Sequence, residues 1–90
     1  MSKTLKFTVK GIVQGVGYRY ATQKAALKLN LVGWVRNCSN GDVEGVVSGE
    51  KSDVENFVYW LWKGSQYSKV NQVDTRIEKD THFKTFQVIR

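Results

Sequence analysis

The order in which strand-like and helix-like stretches follow one another constrains this chain more than any other feature of its sequence. Apolar and polar residues alternate over residues 4–13, which is typical of a half-buried strand. A loop containing glycines follows, and residues 18–29 then place Ala21, Ala25 and Leu29 at intervals of four. That spacing indicates a helix, so the first unit is predicted to be a strand, a loop and a helix.

A β-hairpin is predicted for the middle of the chain. Residues 31–38 and 42–48 are rich in side chains that favour strands. Between them, Asn40 and Gly41 form the pair favoured in a type I′ turn, because both central residues of that turn need a positive φ. We therefore expect two antiparallel strands joined by a type I′ turn.

A second helix is predicted to begin at Ser52, because Ser52 and Glu55 have the spacing of a capping box. It is expected to end near Lys63, because a glycine follows there. The expected buried stripe consists of Val54, Phe57, Val58, Leu61 and Trp62. Trp60 falls outside this stripe, so we expect Trp60 to be exposed and Trp62 to be buried.

Two further strands are predicted near the end of the chain. Residues 73–77 alternate between apolar and polar side chains. After a polar break at residues 79–82, the positions of Phe83, Phe86 and Val88 indicate one last short strand.

The resulting order is strand, helix, strand, strand, helix, strand, with an extra strand at the end. This order predicts an α+β chain with the ferredoxin-like split βαβ arrangement, a mostly antiparallel sheet and two helices on one face. No linker interrupts the patterns, so we expect a single domain over residues 1–90. Because this fold hosts unrelated functions, function has to be argued from particular residues.

Composition excludes several classes of protein. With 41% hydrophobic and 24% charged residues and no proline, the chain is not expected to be disordered. No apolar run approaches the roughly 20 residues that span a bilayer, and the opening residues do not resemble a signal peptide. We expect a cytoplasmic protein with no membrane partner. A single cysteine, Cys38, allows neither an internal disulfide nor a Cys-rich metal site, and no metal is expected.

Positive charge is concentrated in the front half of the chain. The net charge is +6, and residues 1–41 contain seven lysines and arginines and no acidic residue. An anionic ligand is therefore expected there, although charge alone does not distinguish phosphate from nucleic acid or an acidic membrane surface.

The loop formed by Gln14, Gly15, Val16, Gly17, Tyr18 and Arg19 is the strongest candidate for an anion site. Its glycines allow successive N–H groups to point into one concavity, and the N-terminus of the next helix favours negative charge. Arg19 in the first helical turn opposes the helix dipole by about 0.3–1 kcal/mol unless an anion is bound there. The spacing alone is equally compatible with a simple turn and a solvated arginine. Neither a dinucleotide-binding nor a Walker motif is present.

Two segments of the sequence resemble the signature motifs of the acylphosphatase family. Residues 11–19, Gly-Ile-Val-Gln-Gly-Val-Gly-Tyr-Arg, resemble its G-x-V-Q-G-V-G-F-R motif, and residues 33–37, Gly-Trp-Val-Arg-Asn, resemble its G-W-V-R-N motif. The resemblance covers nearly the whole chain. Departures are Tyr18 where phenylalanine is common, Ile12 where arginine is common, and Gly64-Ser65 where Gly-Pro is common.

The resemblance implies an enzyme that hydrolyses acyl phosphates to a carboxylate and inorganic phosphate without a metal or cofactor. It implies that the 14–19 loop forms the phosphate cradle, that Arg19 binds the phosphoryl group and that Asn37 holds the attacking water. Separately from the resemblance, we expect a small monomer whose partners are these small molecules, with no nucleic-acid partner. The substrate's own phosphate is expected to take the proton of the water.

Other candidate residues carry less weight. His82 lies in a polar turn without a catalytic partner at a recognised spacing, and we expect it on the surface. Cys38 is assigned no role. The alternative function is a basic anion-binding or RNA-binding module on the same fold. It is disfavoured because residues 42–47 are acidic and lack the aromatic residues of an RNA-recognition strand.

Overall fold

A computed structural model describes residues 1–90 as a five-stranded sheet with two helices packed against one face. The strands are β1 (Ser2–Ile12), β2 (Val32–Asn37), β3 (Val43–Glu50), β4 (Lys69–Ile77) and β5 (Phe86–Ile89), and the helices are α1 (Tyr18–Lys28) and α2 (Lys51–Lys63). The strand order is β4-β1-β3-β2-β5, in which only the β2–β5 pair is parallel. This arrangement confirms the predicted ferredoxin-like fold with its additional strand.

The core lies between the sheet and the two helices. The ring of Phe57 on α2 packs against Phe7 of β1 and Phe86 of β5, with ring centroids 5.4 Å and 5.9 Å apart. All three rings are almost fully buried. Phe7 lies opposite Gly45 of β3, and a Cβ atom at position 45 would overlap the Phe7 ring. The small residue on β3 therefore makes room for the large one on β1.

The β2–β3 hairpin is present, but the predicted type I′ turn is wrong. Gly41 has a φ of 98°, whereas Asn40 does not have the positive φ that a type I′ turn requires. Instead, the Gly41 N–H donates to the Cys38 carbonyl, and the Cys38 N–H donates to the Asp42 carbonyl. This pattern matches a type I turn followed by one glycine with positive φ, a common three-residue hairpin loop.

Helix α1 forms close to its predicted bounds of residues 18–29. Tyr18, Thr22 and Ala26 are fully buried, whereas Ala21 and Ala25 are only half-buried. Tyr18 is buried at the start of the helix because its large ring and its hydroxyl both have partners inside the molecule. Burial of this first helical residue sets the rotation of the whole helix.

Helix α2 begins at Lys51, directly after β3, so the predicted capping box at Ser52 and Glu55 is wrong. The N-terminal capping position is Glu50, which makes no side-chain capping bond. Its carboxylate instead accepts a hydrogen bond from the amino group of Met1, 2.9 Å away. Pairing of β1 with β3 up to this point leaves no residues for a separate capping turn.

The predicted exposure of two tryptophans is reversed. Trp60 is half-buried and packs against Tyr18, with ring centroids 5.6 Å apart, while Trp62 is 49% exposed. The contact between α1 and α2 extends the buried side of α2 toward Trp60. The predicted buried stripe of α2 took account only of packing against the sheet and not of the contact with α1.

The last two strands differ from their predictions at one end each. β4 begins at Lys69 because it pairs along β1 as far as Ile12, with a bulge between Lys10 and Gly11. β5 begins at Phe86, and Phe83 lies half-buried outside it. Neither helix has the length and apolar character needed to cross a membrane.

Replacing Phe57 by alanine should lower the free energy of unfolding by about 3–5 kcal/mol, because it removes a fully buried ring between two others. Urea denaturation followed by circular dichroism would measure the change. Tyr59→Ala is the control on the same helix, because Tyr59 is 82% exposed and its loss should change stability by less than about 0.5 kcal/mol. Similar losses in both variants would contradict the described core.

Candidate active site

The loop between β1 and α1 turns through two glycines with left-handed backbone conformation. Gly15 and Gly17 have φ values of 74° and 75°. Apart from the adjoining residues of the chain, no atom lies within 4 Å of a Cβ built on either residue, so the requirement for glycine here is conformational and not steric. Gly17 occupies the position just before α1 and places the loop at the helix N-terminus.

The backbone N–H groups of this loop are free. None of those from Gly15 to Tyr20 donates a hydrogen bond to another backbone group, and Ala21 is the first residue of the helix to do so. The first turn of α1 contains no acidic residue that could accept them. Free N–H groups at the positive end of a helix form a binding site for an anion.

Arg19 is half-buried beside this loop, and its side chain is held in place by a hydrogen bond to β5. Its Nη1 donates to the carbonyl of Ile89, 3.1 Å away. No carboxylate forms an ion pair with Arg19. The remaining guanidinium N–H groups are therefore available for a bidentate contact with an anion.

Asn37 lies at the end of β2 with its carboxamide exposed to solvent and without a hydrogen bond to the rest of the chain. Parallel pairing of β2 with β5 places Ile89 beside Arg36, the residue before Asn37. Because Arg19 binds the carbonyl of Ile89, the same pairing brings Arg19 toward Asn37. The two residues line one open groove of about 430 Å³, together with Tyr20, Val88 and Arg90.

The side chain of Gln14 ties the loop to the β2–β3 hairpin. Its Nε2 donates to the carbonyls of Cys38 and Asp42, each 2.8 Å away. Both donors of the carboxamide are used in this way, so only the backbone N–H of Gln14 could serve a ligand. The two hydrogen bonds fix the loop relative to the strand end that carries Asn37.

Tyr18 anchors the other side of the loop. It is 1% exposed, and its hydroxyl donates to the carbonyl of Leu61 at 2.8 Å. Burial raises the pKa of Tyr18 well above its usual value, so the hydroxyl stays protonated and remains a donor. The extra hydroxyl relative to phenylalanine thus has a partner in α2. Val16 lies between these anchors, and its carbonyl accepts a weak hydrogen bond from Ser65 at 3.4 Å.

Cys38 and His82 lie outside this groove. Burial, reinforced by Glu44 and Asp42, raises the pKa of the Cys38 thiol, which therefore stays protonated near neutral pH. His82 is exposed in the segment between β4 and β5. Neither side chain lines the groove that holds Arg19 and Asn37.

Comparison with known proteins identifies the family. The acylphosphatase family model matches residues 5–88. The chain belongs to the acylphosphatase family. Members of this family are hydrolases that act on acyl phosphates.

Relatives match this chain over nearly its whole length. The acylphosphatase of Acaryochloris marina is 42% identical over 86 residues, which are 96% of this chain and 92% of that protein. An acylphosphatase structure from Coxiella burnetii has a TM-score of 0.95 at 36% identity, covering 98% of this chain and 93% of its own. The acylphosphatase structure from Bacillus subtilis has a TM-score of 0.94 at 33% identity and is covered completely, as is this chain.

The sequence analysis did not predict that β5 contributes to the groove. Val88 and Arg90 reach the groove because β5 pairs with β2, and the carbonyl of Ile89 aims Arg19 for the same reason. The sequence indicated a final strand but not the edge of the sheet at which it pairs. Either edge was open to it, and no residue in β5 distinguishes them by type.

The buried hydroxyl of Tyr18 predicts a specific dependence of stability on pH. Because its pKa is raised in the folded chain, the unfolded chain loses this proton first, near its usual value of about 10. The stabilising effect is complete below pH 10 and is lost as the pH rises further, by up to about 1.4 kcal/mol per pH unit. Urea denaturation between pH 8 and 11 should show a steeper decline for the wild type than for Tyr18→Phe.

Tyr20→Phe is the matched control for this experiment, because Tyr20 is 64% exposed and its hydroxyl makes no hydrogen bond in the chain. Its pH profile should follow the wild type. Parallel profiles for all three proteins would show that the Tyr18 hydroxyl is not buried in the way described.

Proposed function

We propose that this chain hydrolyses the carboxyl-phosphate bond of acyl phosphates at the groove between α1, β2 and β5, without a metal ion. Arg19 and the 14–19 loop bind the phosphoryl group, and Asn37 positions the attacking water. The observation that supports this assignment is one groove lined by an arginine without a carboxylate partner and an asparagine without an internal hydrogen bond. The free N–H groups of the loop lie next to that arginine.

The chemistry of the substrate fits these groups. A carboxylate is a good leaving group, so catalysis depends on placing the water in line with the breaking bond and on stabilising charge on the phosphoryl oxygens. The loop N–H groups and Arg19 provide donors for those oxygens before the reaction begins. Asn37 can accept a proton of the water in a hydrogen bond and hold the oxygen toward phosphorus.

The reaction needs no basic side chain to accept the proton of the attacking water. The water oxygen forms a bond to phosphorus as the bond from phosphorus to the acyl oxygen breaks, and the carboxylate leaves with that electron pair. The water proton passes to an oxygen of the transferring phosphoryl group, because no acidic residue or histidine lines the groove. The products are a carboxylate and inorganic phosphate.

The alternative, an RNA-binding module, is disfavoured by the sheet face opposite the helices. On this fold, RNA-binding proteins stack bases on aromatic residues of the central strands. Here the central strands present Lys6 and Glu44 on that face, 3.9 Å apart, and Glu44 also pairs with Arg36. Trp34 is covered by the Arg36 guanidinium, 5.2 Å from its ring centroid. We therefore propose no nucleic-acid partner.

We also propose that residues 1–90 work as one domain and as a monomer in the cytoplasm. All groups assigned to the reaction come from one chain, so the site needs no second copy. The unpaired thiol of Cys38 is suited to a reducing compartment. Size-exclusion chromatography with light scattering would test the oligomeric state.

Arg19→Ala should lower kcat/KM for acetyl phosphate by about 10³-fold or more, because it removes the charged donor to the phosphoryl oxygens. Asn37→Ala should lower kcat by about 100-fold with KM nearly unchanged, because it affects only the placement of water. Initial rates measured with EDTA present would separate the two effects.

Arg76→Ala and Asn71→Ala are the matched controls, since both residues are exposed on β4 and away from the groove. They should retain wild-type kinetics. A similar rise in KM for Arg19→Ala and Asn37→Ala would contradict the separate roles, and loss of wild-type activity in EDTA would contradict metal independence.

Inorganic phosphate should stabilise the wild type by binding the loop. At ten times the dissociation constant the gain is about 1.4 kcal/mol, which corresponds to a rise in Tm of roughly 6 °C or more for a chain of this size. Thermal denaturation in phosphate and in sodium chloride of equal ionic strength would measure it. The shift should disappear in Arg19→Ala and persist in Arg76→Ala, and an unchanged wild-type Tm would contradict a preformed site.

A further inference from the structure

Gln14 provides the only side-chain hydrogen bonds between the 14–19 loop and the β2–β3 hairpin. Gln14 is half-buried, and its Nε2 donates to the carbonyls of Cys38 and Asp42, each 2.8 Å away. The other side chains of the loop that form hydrogen bonds donate to α2 and β5. The position of the loop relative to the hairpin therefore depends on this one carboxamide.

The two accepting carbonyls lie at the end of the hairpin that carries Asn37. Cys38 directly follows Asn37, and its N–H donates to the carbonyl of Asp42 at 2.8 Å. Asn37 itself pairs with Val43, the residue after Asp42. Gln14 thus holds both strands of the hairpin at the residues next to the last strand pair.

The internal shape of the loop does not need this contact. Gly15 and Gly17 turn the backbone through their positive φ values, and Tyr18 fixes the end of the loop against α2. Pairing of β1 with β3 ends at Val9, so it stops before the loop begins. Without the Gln14 side chain, the free N–H groups of the loop would keep their mutual arrangement, but the loop could move relative to the hairpin.

We infer that Gln14 is a positioning residue whose side chain sets the placement of Asn37 relative to the 14–19 loop and so supports turnover without binding the phosphoryl group. The inference rests on the proposed function, since it takes the attacking water to lie at Asn37 and the phosphoryl group at the loop. Both N–H groups of the carboxamide are used on the hairpin, which leaves none for a ligand. A misplacement of about 1 Å between reacting groups is enough to lower a rate roughly 100-fold.

Gln14→Met removes both hydrogen bonds and nearly keeps the length and volume of the side chain. We expect kcat for acetyl phosphate to fall about tenfold or more, while KM and the dissociation constant of inorganic phosphate, measured by calorimetry, change by less than about twofold. Gln14→Asn keeps the carboxamide but is one methylene shorter, and it gives the same comparison if Gln14→Met does not fold.

Gln72→Met is the matched control for the loss of a hydrogen-bonded glutamine. Gln72 is exposed on β4, away from the groove, and its Nε2 donates to Asp74 at 2.8 Å. Its replacement should leave kcat, KM and phosphate binding at their wild-type values.

A double-mutant cycle shows whether Gln14 acts through Asn37. Asn37→Ala already removes the group that places the water, so adding Gln14→Met to it should lower kcat by less than about twofold. A side chain that only stabilises the fold, or that binds the phosphoryl group by itself, would instead lower kcat by the same factor in both backgrounds. The cycle therefore separates a positioning role from a structural one.

The same measurements distinguish failure of this inference from failure of the proposed function. Equal losses of kcat in the two backgrounds, an unchanged kcat in Gln14→Met, or weaker phosphate binding in that variant would overturn the positioning role and keep the function. A wild type that does not hydrolyse acetyl phosphate, or an Asn37→Ala variant with full activity, would overturn the proposed function and this inference with it.

Discussion

The contact between the first residue of α1 and the end of α2 determines how the rest of the molecule is arranged around the groove. Tyr18 is buried, packs on Trp60 and donates its hydroxyl to the carbonyl of Leu61. Because successive helical residues are rotated by about 100°, an inward Tyr18 directs Arg19 to the side of the helix that faces β5. The same contact holds the helix N-terminus in place, so that the loop before it presents its N–H groups outward. One side chain thus sets both the packing of α1 and the position of the loop before it.

The edge of the sheet supplies the other half of the site. β5 is only four residues long, yet its parallel pairing with β2 places the carbonyl of Ile89 where Arg19 can donate to it. Gln14 fixes the loop to the hairpin through two carbonyls of residues that follow β2. Side chains from three separate parts of the chain therefore meet through backbone hydrogen bonds. Such contacts depend little on side-chain type at the accepting residue, which is why sequence patterns did not reveal them.

Much of the fold was predictable because it depends on periodicity, and the errors arose where a distant contact overrode a local signal. The succession of strands and helices along the chain followed from alternating stretches and helical spacing, and the motifs around Arg19 and Asn37 indicated the family. The Asn40-Gly41 pair suggested a type I′ turn, but the hairpin register places a positive φ at Gly41 alone. The capping signal at Ser52 was overridden by β1–β3 pairing that extends to Glu50. Exposure of Trp60 was misjudged because the position of α1 is not encoded in the pattern of α2.

A loop that is already ordered before ligand arrives has a kinetic consequence. The two hydrogen bonds of Gln14 and the burial of Tyr18 hold the N–H groups in place in the free protein, so binding requires little reordering. In the proposed site these groups contact only the phosphoryl end of a ligand, and substrate and released phosphate share that end. On the proposed function, the site binds released phosphate with much of the affinity that it has for the phosphoryl group of the substrate. On this proposal, accumulated phosphate competes with substrate for the loop and lowers the rate of turnover.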